Sequence, residues 1–371
     1  MTRTMTALAL AALAGTATAQ APGDLLFISS FQDATADEIN LLSASSGSVT
    51  NLVTFDPGTE DVERWGALTL GLNGEFFASN SPLPAQDPST AEIVRIDGLL
   101  SGAPTLTNFS VSNPAQVVNG MAVDPFTGSL LVSNNPPSNP PVGTASEGLL
   151  AYDLANPSSN NLLVAADAAG PTPRFQAFGG GLTPGSNQGE FFFGTLNGGV
   201  ETDPNAVNGQ ASTIGRLTLN DAGDPTNNTA DLIFDGSTAF TGLDEVLSQL
   251  RGIDQLPNGN LVVAELNTQT IYEIALDGNG DFAGITELYS QAGTDLAPQG
   301  VIYNEFTGQL NFIERNRTTG LDEILAINLD GSGLEVLGSG LLRTGSLIAI
   351  PAPASAALLG LGGLAAARRR R

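Results

Sequence analysis

Apolar and polar residues alternate along most of this chain in short runs, and five of those runs open on glycine in the same way. In order they read GALTLGLNGEFFASN from Gly66, GMAVDPFTGSLLVSN from Gly120, GGLTPGSNQGEFFFGTLN from Gly180, GIDQLPNGNLVVAELN from Gly252 and GVIYNEFTGQLNFIERN from Gly300. Each is an apolar strand, a turn, a second glycine and a second alternating strand. A period of two suits a strand whose side chains point to opposite faces. Pairs such as Asn73-Gly74 and Asn258-Gly259 place at the turn the residues that tolerate a left-handed backbone. The predicted unit is therefore a hairpin. A second, more polar hairpin follows, as in EIVRIDGLLSGAPTLTNFS, STIGRLTLNDAGDPTNNTADLIF, TIYEIALDGNGDFAGITELY and EILAINLDGSGLEVL.

Four strands per repeat result, and the second glycines fall at 74, 128, 189, 259 and 308, at intervals of 54, 61, 70 and 49 residues. Four-stranded units of that size repeated around a ring predict a β-propeller. Two strands are left over: GDLLFISS from Gly23 to Ser30 and GSLIAI from Gly345 to Ile350. Side by side they complete a sixth blade, so the expectation is all-β: a single propeller over residues 23–350, with six four-stranded blades closed by pairing of the first and last strands. Closure removes the exposed sheet edges of a chain that has no cysteine. The alternative is a pair of β-sandwiches, for which NNPPSNPPVGTASEG, Asn134 to Gly148, is the best boundary. Because the same hairpin recurs on both sides of it, this stretch reads as an insertion within a blade. GLDEVLSQLRG, around Leu243 to Leu250, is the one helical-looking stretch before the tail, expected as a short surface turn.

The two ends are different in kind. Arg3, the apolar stretch MTALALAALAG and the exit Ala17-Thr18-Ala19 have the layout of a secretory signal peptide over residues 1–19. At the other end, residues 351–371 combine Pro351-Ala352-Pro353, twelve uninterrupted Ala, Leu and Gly residues from Ala356 to Ala367, and four arginines. As a helix at ~1.5 Å per residue those twelve cover about 18 Å of a ~30 Å hydrocarbon core. Extended back through Ala352, with the arginines snorkelling to the headgroups, they make a short membrane span whose arginines stay cytoplasmic. This order resembles the PEP-CTERM sorting signal of exported bacterial proteins, with alanine where that motif has glutamate. The resemblance implies export machinery and an exosortase-like protease as partners, with at least transient anchoring through the C-terminal hydrophobic helix.

Charge sharpens the picture. The chain has 371 residues, 38 acidic and 13 basic, and every basic residue is arginine. Five arginines lie in the end segments, so eight face all 38 acids in the domain, a formal charge of 8 − 38, or −30. Such a surface repels nucleic acid. Without His, Cys or Lys, the chain cannot build a Ser-His-Asp triad, a thiol nucleophile, a Schiff base or a His-rich zinc site. Chemistry is left to carboxylates, hydroxyls, arginine or an oxygen-ligated cation.

Two constellations are candidates for such chemistry. In LDGNGDF, Asp277, Asn279 and Asp281 alternate around glycines, and oxygens at i, i+2 and i+4 suit calcium; the same residues equally suit a tight turn. Asn197, Asn267 and Asn316 each fall eight residues after a hairpin glycine, with Glu265 and Glu314 two before the latter pair. They make either a polar ring at one mouth of the propeller or strand ends where Asn starts a turn. Trp65 and the 17 Phe residues are expected to pack between sheets.

The hairpins resemble those of NHL and SMP-30/gluconolactonase propellers over most of residues 23–350. In the lactonase-like family a channel metal held by Glu and Asn or Asp residues polarises a lactone carbonyl. Here Asn119-Gly120-Met121-Ala122 is similar to the family's Asn-Gly strand opening, which makes Asn119 one matching position. The family's Glu-Gly-Pro and Asp-Gly metal strand have no counterpart. Three functions follow: an exported, envelope-sorted propeller that binds or scaffolds an unidentified envelope ligand without catalysis; a metal-dependent, calcium-type hydrolase or lactonase; or a carbohydrate-binding surface, which one Trp and four Tyr support thinly.

Overall fold

The computed structural model describes residues 21–29, 37–55, 63–82, 92–109, 118–134, 148–165, 175, 178, 180–195 and 211–351. The signal segment and the sorting tail, including Ala352 and Pro353, lie outside the described residues, as does Asn197. The side chains of Trp65 and Asn119 lie outside them too.

The described residues form six four-stranded antiparallel sheets. Blade 1 holds β1 (Leu25–Ser29), β2 (Glu38–Leu42) and β3 (Val49–Thr54). Blade 2 is β4 (Glu63–Leu70), β5 (Phe76–Pro82), β6 (Glu92–Asp97) and β7 (Thr105–Asn108). Blade 3 is β8 (Val118–Asp124), β9 (Ser129–Asn134), β10 (Gly148–Asp153) and β11 (Asn156–Ala165). Blade 4 is β12 (Leu182–Pro184), β13 (Glu190–Thr195), β14 (Thr213–Leu219) and β15 (Asn228–Asp235). Blade 5 is β16 (Leu250–Gln255), β17 (Leu261–Glu265), β18 (Thr270–Leu276) and β19 (Phe282–Ser290). Blade 6 is β20 (Leu296–Asn304), β21 (Gln309–Asn316), β22 (Leu321–Asn328) and β23 (Glu335–Leu342). The last strand, β24 (Thr344–Ala349), joins blade 1 beside β1.

That closure is an antiparallel ladder in which Leu25 opposes Ala349, Leu26 opposes Ile348 and Phe27 opposes Leu347. Packing continues across it. Leu25, Phe27 and Leu42 of blade 1 meet Ile313 and Ile324 of blade 6 in one buried cluster. Each of the other five blade interfaces has a cluster of its own.

The second strand of a blade is squeezed between two neighbours, which explains its apolar run. In β13, Phe191 and Phe193 face blade 3 while Phe192 faces blade 5. In β17, Leu261 and Val263 face blade 4 while Val262 and Ala264 face blade 6. A strand buried on both faces has no polar side to alternate with. Each Phe fully buried in this way contributes roughly 1.5–3 kcal/mol.

Turn chemistry follows the sequence. Gly74 and Gly259 adopt φ of 84° and 87°, the left-handed values an Asn-Gly hairpin requires. The Asn134 to Gly148 stretch joins β9 to β10 within one sheet, with Asn134 opposite Gly148, so it interrupts a blade and divides nothing. Around Leu243 to Leu250 there is no helix. Instead α1 (Thr238–Thr241) precedes the stretch and ends at Gly242, whose φ is 72°. Beyond it the chain is held open, because the Glu265 carboxylate accepts the N–H groups of Ser248 and Gln249 at 3.1 and 2.6 Å. Among the described residues no helix is long and apolar enough to cross a membrane.

Candidate functional site

The innermost strands of the six blades, β24, β4, β8, β12, β16 and β20, surround a central channel of about 760 Å³. Each contributes a glycine to the wall or, for β12, directly follows one: Gly66, Gly120, Gly181, Gly252, Gly300 and Gly345. Close approach demands them. A Cβ at Gly120 would lie 2.7 Å from Leu182 N, and one at Gly252 would lie 2.7 Å from Val301 N. Both obstacles are backbone atoms of the next blade, so the ring cannot open around a larger residue without shifting strands.

Immediately before three of these glycines the inner strands bulge. The ladders skip Asn119 between Val118 and Gly120, Arg251 between Leu250 and Gly252, and Gln299 between Pro298 and Gly300. A bulge leaves its extra residue free to turn out of the sheet. Arg251 and Gln299 line the channel, as does Thr344, which precedes Gly345. Contacts along neighbouring inner strands advance together: Gly181 meets Gly252 where Thr183 meets Asp254, and Gly252 meets Val301 where Asp254 meets Tyr303. The strands thus run in one sense, and Arg251, Gln299 and Thr344 share one level of the channel while Asp254 and Tyr303 share another.

Arg315 reaches the first level from β21. Its Nε and Nη2 donate to Asp322 Oδ1 and Oδ2 at 3.0 and 3.1 Å, its Nη1 to Gln299 Oε1 at 3.5 Å, and its Nη2 also to the Thr344 carbonyl at 3.3 Å. Asp322 is fully buried and also accepts the Thr344 N–H. Arg315 is therefore a neutralised, fixed wall.

Arg251 differs. Its side chain makes no hydrogen bond or ion pair among the described residues, and its Nε is buried without a partner. Burial, and then the Arg315 charge, push its basicity down, while Glu265 opposes them. Thr344 Oγ1 is likewise buried and unpartnered. Arg343 adds a third guanidinium to the wall from a backbone with φ of 41°, rare for a residue with a Cβ.

At the other level Asp254 accepts Thr183 Oγ1 at 2.7 Å, Gln255 N at 2.9 Å and Tyr303 N at 2.7 Å. One carboxylate thus ties blades 4, 5 and 6. Burial raises its pKa, against the pull of those three hydrogen bonds.

The sequence candidates lie elsewhere. Asp277, Asn279 and Asp281 form the exposed turn between β18 and β19, where Asp277 Oδ1 accepts the Asn279 and Asp281 N–H groups at 2.8 and 3.0 Å. Arg216 of blade 4 donates to the Asn279 carbonyl at 2.9 Å. The turn bonds hold the Asp277 carboxyl below its usual range. Asn316 starts a turn, accepting the Thr318 and Thr319 N–H groups at 3.0 and 2.9 Å, and Asn267 sits exposed in the β17–β18 turn. Glu265 and Glu314 belong to second strands and not to the channel wall. Glu265 accepts Ser248, Gln249 and Thr268 N–H groups, and Glu314 accepts the Tyr289 hydroxyl at 2.5 Å. Strand ends, not a polar ring, account for these positions. Among the described residues no three carboxylates converge. Pro351 lines the channel, where the chain leaves the ring.

No protein-family model matches the sequence, and no curated protein matches it. Solved structures do match in fold. TolB from Acinetobacter baumannii aligns with a TM-score of 0.55 at 12% identity, over 89% of this chain and 67% of that one. A candidate 6-phosphogluconolactonase from Bacteroides fragilis aligns at 0.53 and 14% identity, over 88% of this chain and 98% of that one. One from Bacteroides uniformis aligns at 0.52 and 12%, over 88% and 99%. At such identities the likeness is one of fold, the propeller expected from the hairpins.

Proposed function

We propose that this chain is an exported propeller of the cell envelope that acts as a non-enzymatic binding protein, with a small ligand held in its central channel. The observation that carries this reading is the channel itself. About 760 Å³ falls within the ~300–1,000 Å³ typical of ligand sites. Its wall sets glycines and apolar side chains such as Leu68, Ile253 and Val301 among polar groups that include Arg251, Asp254 and Glu305. Asp254 is committed to three structural hydrogen bonds, which suits a scaffold better than a reacting group. Export is supported by the layout of residues 1–19 and by the Pro351-Ala352-Pro353 tail, with its apolar run and four arginines. Recognition there by an exosortase-like protease is part of the same proposal.

Screening a library of small molecules by thermal shift tests the binding reading, with Thr69→Trp as a channel plug. Ligands should stabilise the wild type and fail to stabilise the plugged variant. Hits that survive the plug would place binding on the outer surface. Mass spectrometry of the mature protein from its host tests the itinerary: a start near Gln20 and a C-terminus near Pro353 are expected, and two intact ends would refute it.

A metal-dependent hydrolase is the second reading. It is favoured by the place of Asn119 at the β8 bulge, the repeat position from which Arg251 and Gln299 reach the channel. It predicts a thermal shift with Ca²⁺ reversed by EDTA, together with lactone hydrolysis lost in Asn119→Ala.

A further inference from the structure

We infer that the bulge level of the channel binds a small oxyanion, the carboxylate or phosphate head of the ligand, through the Arg251 guanidinium with the Thr344 hydroxyl as a second donor. The inference rests on the channel-binding reading and names the chemistry of its recognition.

Its basis is an imbalance of partners. Three buried side-chain polar atoms among the described residues lack a hydrogen-bond partner: Ser248 Oγ, Arg251 Nε and Thr344 Oγ1. Two of the three line the channel at the same level. Buried polar groups are nearly always satisfied, and both orphans belong to residues of the channel wall, so the channel is the side from which a partner outside the fold would reach them. Both orphans are donors or can act as donors, so that partner is an acceptor.

Charge makes the point more sharply. The domain sets 38 carboxylates against eight arginines, so an arginine can find an acid at almost any surface. Arg95, Arg216 and Arg315 each do. Arg251 has no such partner among the described residues, although its half-buried side chain lies near a second guanidinium that lowers its basicity. Partly desolvating a cation without pairing it is costly. Arg315, forked onto Asp322, has its geometry already spent, and it holds Gln299 as a neutral wall. Arg343 adds a further guanidinium to a wall that also carries Asp254 and Glu305. The result is an unpaired guanidinium at the bulge level of a channel, in a protein of formal charge −25. Planar guanidinium forks recognise carboxylate and phosphate in the same bidentate manner, which is why the two head groups are named together.

Calorimetric titration of the full mature chain with inorganic phosphate, with acetate and with uncharged glycerol tests this, alongside Arg251→Gln, Thr344→Val and the surface control Arg95→Gln. One equivalent of at least one oxyanion should bind, weakening steeply as ionic strength rises. Arg251→Gln should lower that affinity at least tenfold, Thr344→Val should lower it less, and Arg95→Gln should leave it unchanged. Phosphate binding without acetate binding identifies the head group as a phosphate, and the converse as a carboxylate. Without ligand, Arg251→Gln should melt no lower than the wild type, since it removes an unpaired charge. A melting point several degrees lower would make Arg251 structural and overturn the inference, as would oxyanion affinity indifferent to Arg251→Gln. Neutral library hits blocked by Thr69→Trp, with no oxyanion binding at all, would sink the anion site and leave channel binding standing.

Discussion

Replacing Asp254 with alanine should loosen three blades at once, and the size of the effect can be worked from its contacts. The carboxylate accepts the Thr183 hydroxyl of blade 4 and the Tyr303 N–H of blade 6, each at 2.7 Å, as well as Gln255 N of its own strand. Stranding a buried donor costs about 1–3 kcal/mol, so the two inter-blade donors set a loss of about 2–6 kcal/mol. Alanine also removes a carboxylate whose ionisation burial disfavours, which trims the loss. A net destabilisation toward the lower end of about 2–6 kcal/mol is expected in equilibrium urea unfolding, read as a lower midpoint at unchanged slope. Asp254→Asn keeps one acceptor and should lose less. In a double-mutant cycle with Thr183→Val, the two sites should couple by about 0.5–3 kcal/mol. An alanine variant within about 0.5 kcal/mol of wild type, with no coupling to position 183, would refute the view that this carboxylate staples the ring.

Further expectations concern the ring glycines and two carboxylates of opposite sign. Gly252→Ala drives a Cβ to 2.7 Å from Val301 N and 2.8 Å from Gly300 Cα, and should cost about 1–3 kcal/mol by thermal unfolding, whereas Gly284→Ala, which meets nothing within 4 Å, should be near neutral. Glu265 has its pKa raised by burial, so its contribution is fully present below the unfolded value and is lost as pH rises; the stability gap between wild type and Glu265→Gln should shrink from acidic to neutral pH. Asp277 has its pKa lowered by the Asp281 and Asn279 N–H groups, so its contribution is present above the unfolded value and lost on acidification. The gap to Asp277→Asn should therefore shrink in the opposite direction, and equal slopes in the two variants would contradict both assignments.

The blades were legible because hairpin geometry is local. An Asn-Gly turn and period-two strands announce themselves within fifteen residues, and the unpaired first and last strands left closure as the economical solution. The helical reading of Leu243 to Leu250 failed because a distant group decided it: the Glu265 carboxylate captures the backbone N–H groups of Ser248 and Gln249. The channel chemistry was not legible for the same reason. Arg251, Arg315, Arg343 and Thr344 come from β16, β21, the β23–β24 link and β24, and only closure of the ring brings them to one cavity. A local clue did exist. In three blades the residue before the ring glycine is the extra one of a bulge, so reading that column of the repeat, Asn119, Arg251 and Gln299, would have pointed to the level before its neighbours were known. Asn267, Asn316 and LDGNGDF drew notice instead because polar residues at fixed spacing mark turns as readily as sites.

Closure of a single six-bladed ring is the premise of the channel and of everything placed in it. The chain has no cysteine, so the pair Leu25→Cys and Ala349→Cys provides the only thiols. These positions are direct partners in the β1–β24 ladder. Opposed residues in such a ladder have Cα atoms about 4.5–5.5 Å apart, within disulfide reach. Mild oxidation of the folded double variant should consume both thiols within the monomer and raise its melting temperature. Two thiols that stay free in the folded protein, or that cross-link only between molecules, would show that the first and last strands do not meet.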